Sequence, residues 1–315
     1  MDAELAEIVA LLPEFVPGGP AESRARARAY TENRPAAPGR DTLTITERRA
    51  PAPEGAAPVP VRIYRPTLDQ AAPAAVYFHG GGFVAGDLDT EDLRCVRLAC
   101  EAGCVVISVD YRLAPEHRFP AATDDGYAVL SWIATEATTL GIDPDRLGLV
   151  GASSGGTLAA AIALMARDRN GPPLAFQLLV YPSLDDRMQT ASVRFVGTPL
   201  VDGSDVARCW DYYLGPDRVD VSPYAAPARA TVLASLPPTY VMTAELDPLR
   251  DDGLRYAAAL LEAGVSVELH QFAGAFHGFD LFPTAISQRA LDEQAAWLRS
   301  ITRNEPSLTA TEGDQ

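Results

Sequence analysis

Two rhythms of apolar and polar positions run through this chain. Ala74-Ala75-Val76-Tyr77-Phe78 and Val105–Val109 are unbroken apolar runs, the form a strand takes when both of its faces are covered. Thr42–Glu47 and Val59–Tyr64 alternate instead, as half-buried strands do. Leu147–Val150, Ala175–Tyr181, Thr239–Thr243 and Val265–Gln271 complete a set of eight predicted strands. Between them, Thr90–Glu101, Ala121–Leu140, the stretch from Thr157 to Ile162, Asp251–Ala263 and Ile286–Ile301 read as helices. Strands that alternate with helices imply a mostly parallel eight-stranded sheet with helices on both faces, an α/β architecture.

Two segments fall outside this rhythm. Leu5, Ile8, Val9 and Leu12 stand at helical spacing, with Pro13 as the stop, and Arg24–Tyr30 suits a second helix before the linker Pro35-Ala36-Ala37-Pro38-Gly39. From Ser183 to about Ala230 the alternation is lost, and Trp210, Tyr212, Tyr213 and Tyr224 stand among turns. The expected organisation is an N-terminal cap segment (1–40), a first part of the core (41–182), a cap insertion (183–230), the rest of the core (231–302) and a polar tail that frays (303–315).

Composition narrows the function. A net charge of −16 over 315 residues argues against nucleic acid or an anionic membrane as partner, since both need clustered positive charge. All 26 basic residues are arginine, so Schiff-base chemistry and a P-loop lysine are excluded together. Cys95, Cys100, Cys104 and Cys209 lack the spacing of a zinc site and read as core thiols of a reducing compartment, with no metal expected. The start Met1-Asp2-Ala3-Glu4-Leu5 is acidic where a signal peptide would be basic, and no apolar run approaches membrane-spanning length. A cytoplasmic location is the expectation.

The candidate chemistry begins at Gly151-Ala152-Ser153-Ser154-Gly155-Gly156, where a strand enters a tight turn and then a helix. Gly-x-Ser-x-Gly at such a turn has the form of a nucleophile elbow, which lifts a serine clear of the sheet. Ser154 nearly satisfies the same rule one residue on, but glycine on both sides favours Ser153. His79-Gly80-Gly81-Gly82-Phe83 follows another buried strand, and its bare backbone lets N–H groups approach a ligand, as in an oxyanion loop. A serine nucleophile needs a base. Of the four histidines, His79 suits backbone fixing, His117 lies in a charged turn and His270 lies within a strand. His277 follows the last strand, where sites gather in open α/β sheets. The orienting acid should follow the strand before it. Among Glu245, Asp247, Asp251 and Asp252, Asp247 is the first in the loop proper, while Asp251 and Asp252 suit the start of the next helix.

With these motifs in hand, the chain resembles the hormone-sensitive-lipase-like branch of the α/β-hydrolase carboxylesterases from about residue 40 to 302. The likeness rests on His79-Gly80-Gly81-Gly82-Phe83, Asp110-Tyr111-Arg112-Leu113-Ala114-Pro115-Glu116, the elbow, Asp247-Pro248-Leu249-Arg250-Asp251 and Phe276-His277-Gly278-Phe279, in family order. Asp185-Asp186-Arg187 and Tyr224-Ala225-Ala226-Pro227 are most similar to the bacterial heroin-esterase type. The resemblance implies a small ester substrate with a short acyl chain, no cofactor, a helical cap, and dimerisation through an edge strand or the last helix. It implies Ser153, Asp247 and His277 as a triad, with N–H groups of Gly81, Gly82 and Ser154 as oxyanion donors. An amidase, lactonase or biosynthetic hydrolase would use the same triad. A ligand-binding receptor would have lost triad residues, whereas all three are present. One departure stands out, because Ala152 and Ser154 occupy places where the family elbow usually has Asp and Ala.

Overall fold

The computed structural model describes residues 1–12, 18–32, 36–68 and 70–303. In chain order its helices and strands are α1 (Ala3–Leu11), α2 (Pro20–Glu32), β1 (Thr44–Ala50), β2 (Val59–Arg65), β3 (Ala72–Phe78), α3 (Asp92–Ala102), β4 (Val105–Val109) and α4 (Ala121–Thr135). There follow β5 (Ile142–Ala152), α5 (Ser154–Asp168), β6 (Phe176–Val180), α6 (Gly203–Leu214), β7 (Thr239–Leu246), α7 (Arg250–Glu262), β8 (Val267–Phe276) and α8 (Ala285–Ile301). The strands form one sheet in the order β1-β2-β4-β3-β5-β6-β7-β8. Strand β2 runs antiparallel to both β1 and β4, and each pairing from β4 to β8 is parallel. The expected mostly parallel, eight-stranded α/β sheet is the one observed.

Every residue of β3, β4 and β6 is buried. Successive side chains point to opposite faces, so each strand feeds two cores. Val76, Phe78 and Ile107 pack with Val129 of α4, Leu158 of α5 and Leu260 of α7. Ala75, Tyr77 and Val106 pack with Val96 of α3 and Leu298 of α8 on the other face. The unbroken apolar runs in the sequence are the trace of this two-sided cover.

Several elements depart from the sequence reading. Helix α4 stops at Thr135 rather than Leu140, because Thr138 and Thr139 are weak helix formers and Gly141 at φ 59° turns the chain into β5. Strand β5 starts at Ile142, with a register jump against β3 between Ala72 and Ala74 that absorbs Asp143–Arg146. Strand β8 runs on to Phe276 rather than ending at Gln271. Past a register shift, Leu246 of β7 pairs with Phe276, and between the two paired stretches Gly274 donates its N–H to Glu245 Oε2 at 2.6 Å and accepts the Asp2 N–H at 2.9 Å. Residues 183–230 contain α6, whose buried Val206, Trp210 and Tyr213 form a stripe and whose Asp202 makes a capping box with Asp205. Ala37 of the supposed linker is buried. Pro13, Pro35 and the tail from 304 onward lie outside the described residues.

The N-terminal helices dock on the β8 edge of the sheet, on the start of α8 and on the loops of the site. Leu5 is fully buried, the Ala285 N–H donates to Glu4 Oε2 at 2.6 Å, and the Tyr30 hydroxyl donates to the Leu281 carbonyl at 2.9 Å. Arg24 Nε donates to the Val84 carbonyl at 2.8 Å, and its NH2 reaches the Ala114 carbonyl at 3.0 Å. The same guanidinium pairs with Glu116 and holds that carboxyl down to about 2. The charged turn around His117 is therefore closed by an arginine from the N-terminal segment, a partner that local sequence did not indicate. Leu5 is the only buried side chain of α1. Leu5→Ala removes about 2–5 kcal/mol of packing at that contact. The expected outcome is undocking of α1, read as faster hydrogen exchange at the Ala285 amide, with the unfolding midpoint of the sheet little changed.

Candidate active site

The turn from β5 to α5 puts Ser153 at φ 56° and ψ −123°, a conformation that few side-chain-bearing residues adopt. Local contact forces it. A methyl group on Gly151 would overlap the Gly155 carbonyl, and one on Gly155 would overlap the Phe78 carbonyl at the end of β3. The two glycines that the motif requires are thus sites of backbone-on-backbone approach. Ser153 is fastened by its own N–H to the Val180 carbonyl at 2.8 Å, and its carbonyl accepts the Thr157 N–H at 3.2 Å.

His277 lies immediately past β8, with its Nε2 3.0 Å from Ser153 Oγ. Its Nδ1 lies 2.8 Å from Asp247 Oδ2, in the loop after β7. An ionised carboxylate only accepts, so Nδ1 carries the proton and Nε2 offers its lone pair to the serine hydroxyl. Asp247 is fully buried, and its second oxygen accepts the Leu249 N–H at 2.7 Å. Three side chains from three separate loops therefore meet in one line of hydrogen bonds. Ser154, the alternative nucleophile, is the first residue of α5 and is buried.

The glycine loop lies against the serine. A Cβ placed on Gly80 would stand 3.4 Å from Ser153 Cβ. Gly81 sits at φ 115°, and a side chain there would strike the Ala85 carbonyl, so the loop closes only with glycine. The Gly81 carbonyl accepts the N–H groups of Val84 and Ala85. Among the described residues, no acceptor takes the backbone N–H of Gly81, Gly82 or Ser154. His79 behaves as expected: its Nδ1 lies 2.7 Å from the Gly80 carbonyl, its ring stacks on Tyr111, and burial lowers its pKa. His117 is exposed, and His270 is held between Glu268 and Glu293.

Helix α6 presses on the same loop, which the sequence reading missed. The Phe83 ring stacks on Tyr213 at 3.9 Å and tilts against Trp210 at 5.4 Å, while the Cys209 thiol abuts Gly82. The signal was present as the Val206, Trp210, Tyr213 spacing behind an Asp202 cap. A second feature also escaped it. Behind His277, the buried Arg94 binds Glu91, Asp280, Gln294 and Tyr181. An arginine inside the apolar pattern of α3 was the available sign. At the elbow, Ala152 is buried in the core face that also holds Val150, Val180 and Met242.

The family described as alpha/beta hydrolase fold matches residues 75–281. Esterase LipI of Mycobacterium tuberculosis is 45% identical over 250 residues, 78% of each chain. Ethyl acetate hydrolase of Pseudomonas putida is 40% identical over 228 residues, 70% of this chain and 71% of that one. Among solved structures, a bacterial heroin esterase superposes with a TM-score of 0.90 at 43% identity, covering 96% of this chain and 98% of that one. Among the described residues, no helix is long and apolar enough to cross a membrane.

Asp251 and Asp252 lie in the first turn of α7 as expected, but their hydrogen bonds go to the segment after β6. Asp251 accepts the Ser192 N–H at 2.9 Å, and Asp252 accepts those of Leu184 at 3.2 Å and Asp185 at 3.1 Å. Burial pushes the Asp252 carboxyl up to about 7, against the pull of its two N–H donors. Its unfolded pKa is about 3.9. Between those values the folded chain holds the proton and the unfolded chain does not, so this group's contribution to stability falls as pH rises from about 4 to about 7. Asp252→Asn keeps an acceptor for both N–H groups, and urea unfolding across that range is expected to show a flatter pH dependence than the wild type.

Proposed function

The chain belongs to the α/β-hydrolase family, in its hormone-sensitive-lipase-like branch of esterases, and from that membership we propose a serine carboxylesterase that cleaves acetyl to butyryl esters through an acyl-enzyme. One observation carries the reading: the unbroken line Ser153 Oγ–His277 Nε2 at 3.0 Å and His277 Nδ1–Asp247 Oδ2 at 2.8 Å, beneath a rim of unengaged N–H groups.

The Ser153 oxygen attacks the ester carbonyl carbon while its proton passes to His277 Nε2. Asp247 stays ionised, fixes the tautomer and stabilises the imidazolium. The carbonyl oxygen takes up the displaced electron pair and is met by the N–H groups of Gly81, Gly82 and Ser154. The last of these lies at the N-terminus of α5, where the helix dipole favours negative charge. Collapse breaks the carbon–alkoxy bond, and Nε2 returns the proton to the departing alcohol. Water then attacks the acyl-enzyme and gives a proton to Nε2, which passes to Ser153 as the carboxylic acid leaves.

The short-acyl preference draws support from the packing of Cys209, Trp210 and Tyr213 onto the glycine loop, and from likeness to an ethyl acetate hydrolase. A pocket of this kind discriminates by fit around each methylene, so kcat/KM for aryl acetate and butyrate is expected to exceed that for octanoate by at least about tenfold. Equal values across the series overturn the preference.

For the chemistry itself, Ser153→Ala is expected to lower kcat by about four to six orders of magnitude and Asp247→Asn by about four. Ser154→Ala should retain turnover, because its contribution is a backbone N–H. An active Ser153→Ala beside a dead Ser154→Ala places the nucleophile one residue later. A fluorophosphonate that leaves the wild-type protein unlabelled removes the acyl-enzyme altogether.

A further inference from the structure

The end of β6 holds a strained residue that the chemistry above does not use. Tyr181 has φ 36°, although a bulky side chain disfavours positive φ and the residue before a proline favours extended backbone. Such strain persists only where the surroundings over-determine it, and it gathers at functional sites. Around Tyr181 the surroundings are the site itself. The preceding carbonyl, Val180, accepts the Ser153 N–H at 2.8 Å, and the Ser183 N–H donates to the Ser153 carbonyl at 3.4 Å. Tyr181 donates its own N–H to Met242 of β7 at 2.7 Å.

Turned out of the ladder, the Tyr181 ring lies 4.5 Å from the imidazole of His277, tilted by 58°. Its hydroxyl donates to Asp280 Oδ1 at 2.8 Å and accepts from Arg94 NH2 at 2.9 Å. Asp280 belongs to the short helical turn Phe279–Leu281 just past His277, and its other oxygen accepts Arg94 NH1 at 2.7 Å. Arg94 is anchored in turn to Glu91 at 3.1 Å and Gln294 at 3.2 Å. All five side chains are buried.

His277 needs this support. A serine–histidine hydrogen bond between neutral groups contributes about 0.5–1.5 kcal/mol, too little to hold two loops in register. The bond to Asp247 fixes one edge of the ring and leaves it free to swing about that bond. A ring wedged against it at 4.5 Å removes the swing.

We propose that Tyr181, locked by Arg94 and Asp280, is the positioning residue that fixes His277 Nε2 at hydrogen-bonding distance from Ser153. Through its main chain it is tied to the serine, through its ring to the histidine, and through its hydroxyl to the turn that carries the histidine. The inference rests on the serine-esterase reading and deepens it.

The test uses the full chain with p-nitrophenyl acetate, measuring kcat, KM, the rate of fluorophosphonate labelling and the melting temperature. Tyr181→Leu removes the flat ring, and since a misplacement of about 1 Å costs about 100-fold, kcat and the labelling rate are expected to fall by about that much with KM within about twofold. Tyr181→Phe keeps the ring and loses its anchors, so partial rescue to about a tenfold loss is expected. A folded Tyr181→Leu with wild-type kcat, or with its whole loss in KM, overturns the proposal. Should Tyr181→Leu fail to fold, Tyr181→Phe decides: a loss in kcat alone supports the proposal and wild-type kcat overturns it. Ser153→Ala separates the two levels, because an active Ser153→Ala defeats the esterase reading, whereas a dead one beside an active Tyr181→Leu defeats only the positioning role.

Discussion

At the head of the sheet, the end of β3, the end of β5 and the first turn of α5 approach so closely that carbonyl oxygens fill the space a methyl group would need at Gly151 and Gly155. The chain has no room to relax between strand and helix, so the residue at the crest is held at positive φ at a cost of about 1–3 kcal/mol. The helix behind it makes that tolerable. Residues Ser154 to Ala166 of α5 are all buried, so the helix is gripped on every side and the turn cannot unwind. Half-buried at the crest, Ser153 is the residue that this compression presents to the ends of the parallel strands, where α/β sheets place their sites.

The parts that face Ser153 are held from outside the sheet. The glycine loop has no side chains of its own to pack from Gly80 to Gly82, and Phe83 does the packing instead, stacked on Tyr213 of α6. Arg24 of α2 grips the loop at Val84, and Tyr30 of the same helix grips the other rim at Leu281. One short N-terminal segment thus spans both sides of the site. The loop carrying His277 is pinned from within by the Arg94–Asp280 pair. Breaking a buried ion pair of this kind costs about 3–5 kcal/mol, because the remaining charge has no water to turn to. Rigid props on flexible backbone give a preorganised site without a rigid loop sequence.

Much of the fold could be read in the chain because two-sided burial leaves no polar position, as in Ala74–Phe78 and Val105–Val109. The ends of elements could not. Strand β8 reaches Phe276 because Leu246 of β7 pairs with it past a register shift, and Leu246 is not near it in sequence. Helix α6 carries local signals in its Asp202 cap and its Val206, Trp210, Tyr213 stripe, set among turns where no strand alternation frames them. Asp252 stands in the first turn of α7, as its position suggests, but its bonds to Leu184 and Asp185 reach far along the chain.

By itself the sequence determined the local geometry of the site. Glycines at 151 and 155 admit a backbone contact that no other residue admits, three glycines in a row leave a bare loop, and both properties are set by covalent chemistry within a few residues. Tertiary structure decided everything measured across space. It turned Ser153 rather than Ser154 toward His277, brought Asp247 rather than its neighbouring carboxylates to Nδ1, and set Tyr181 at a tilt against the imidazole with Arg94 behind it. Those choices depend on distances of a few ångströms between segments scattered along the chain, and such distances are fixed only when the two cores close.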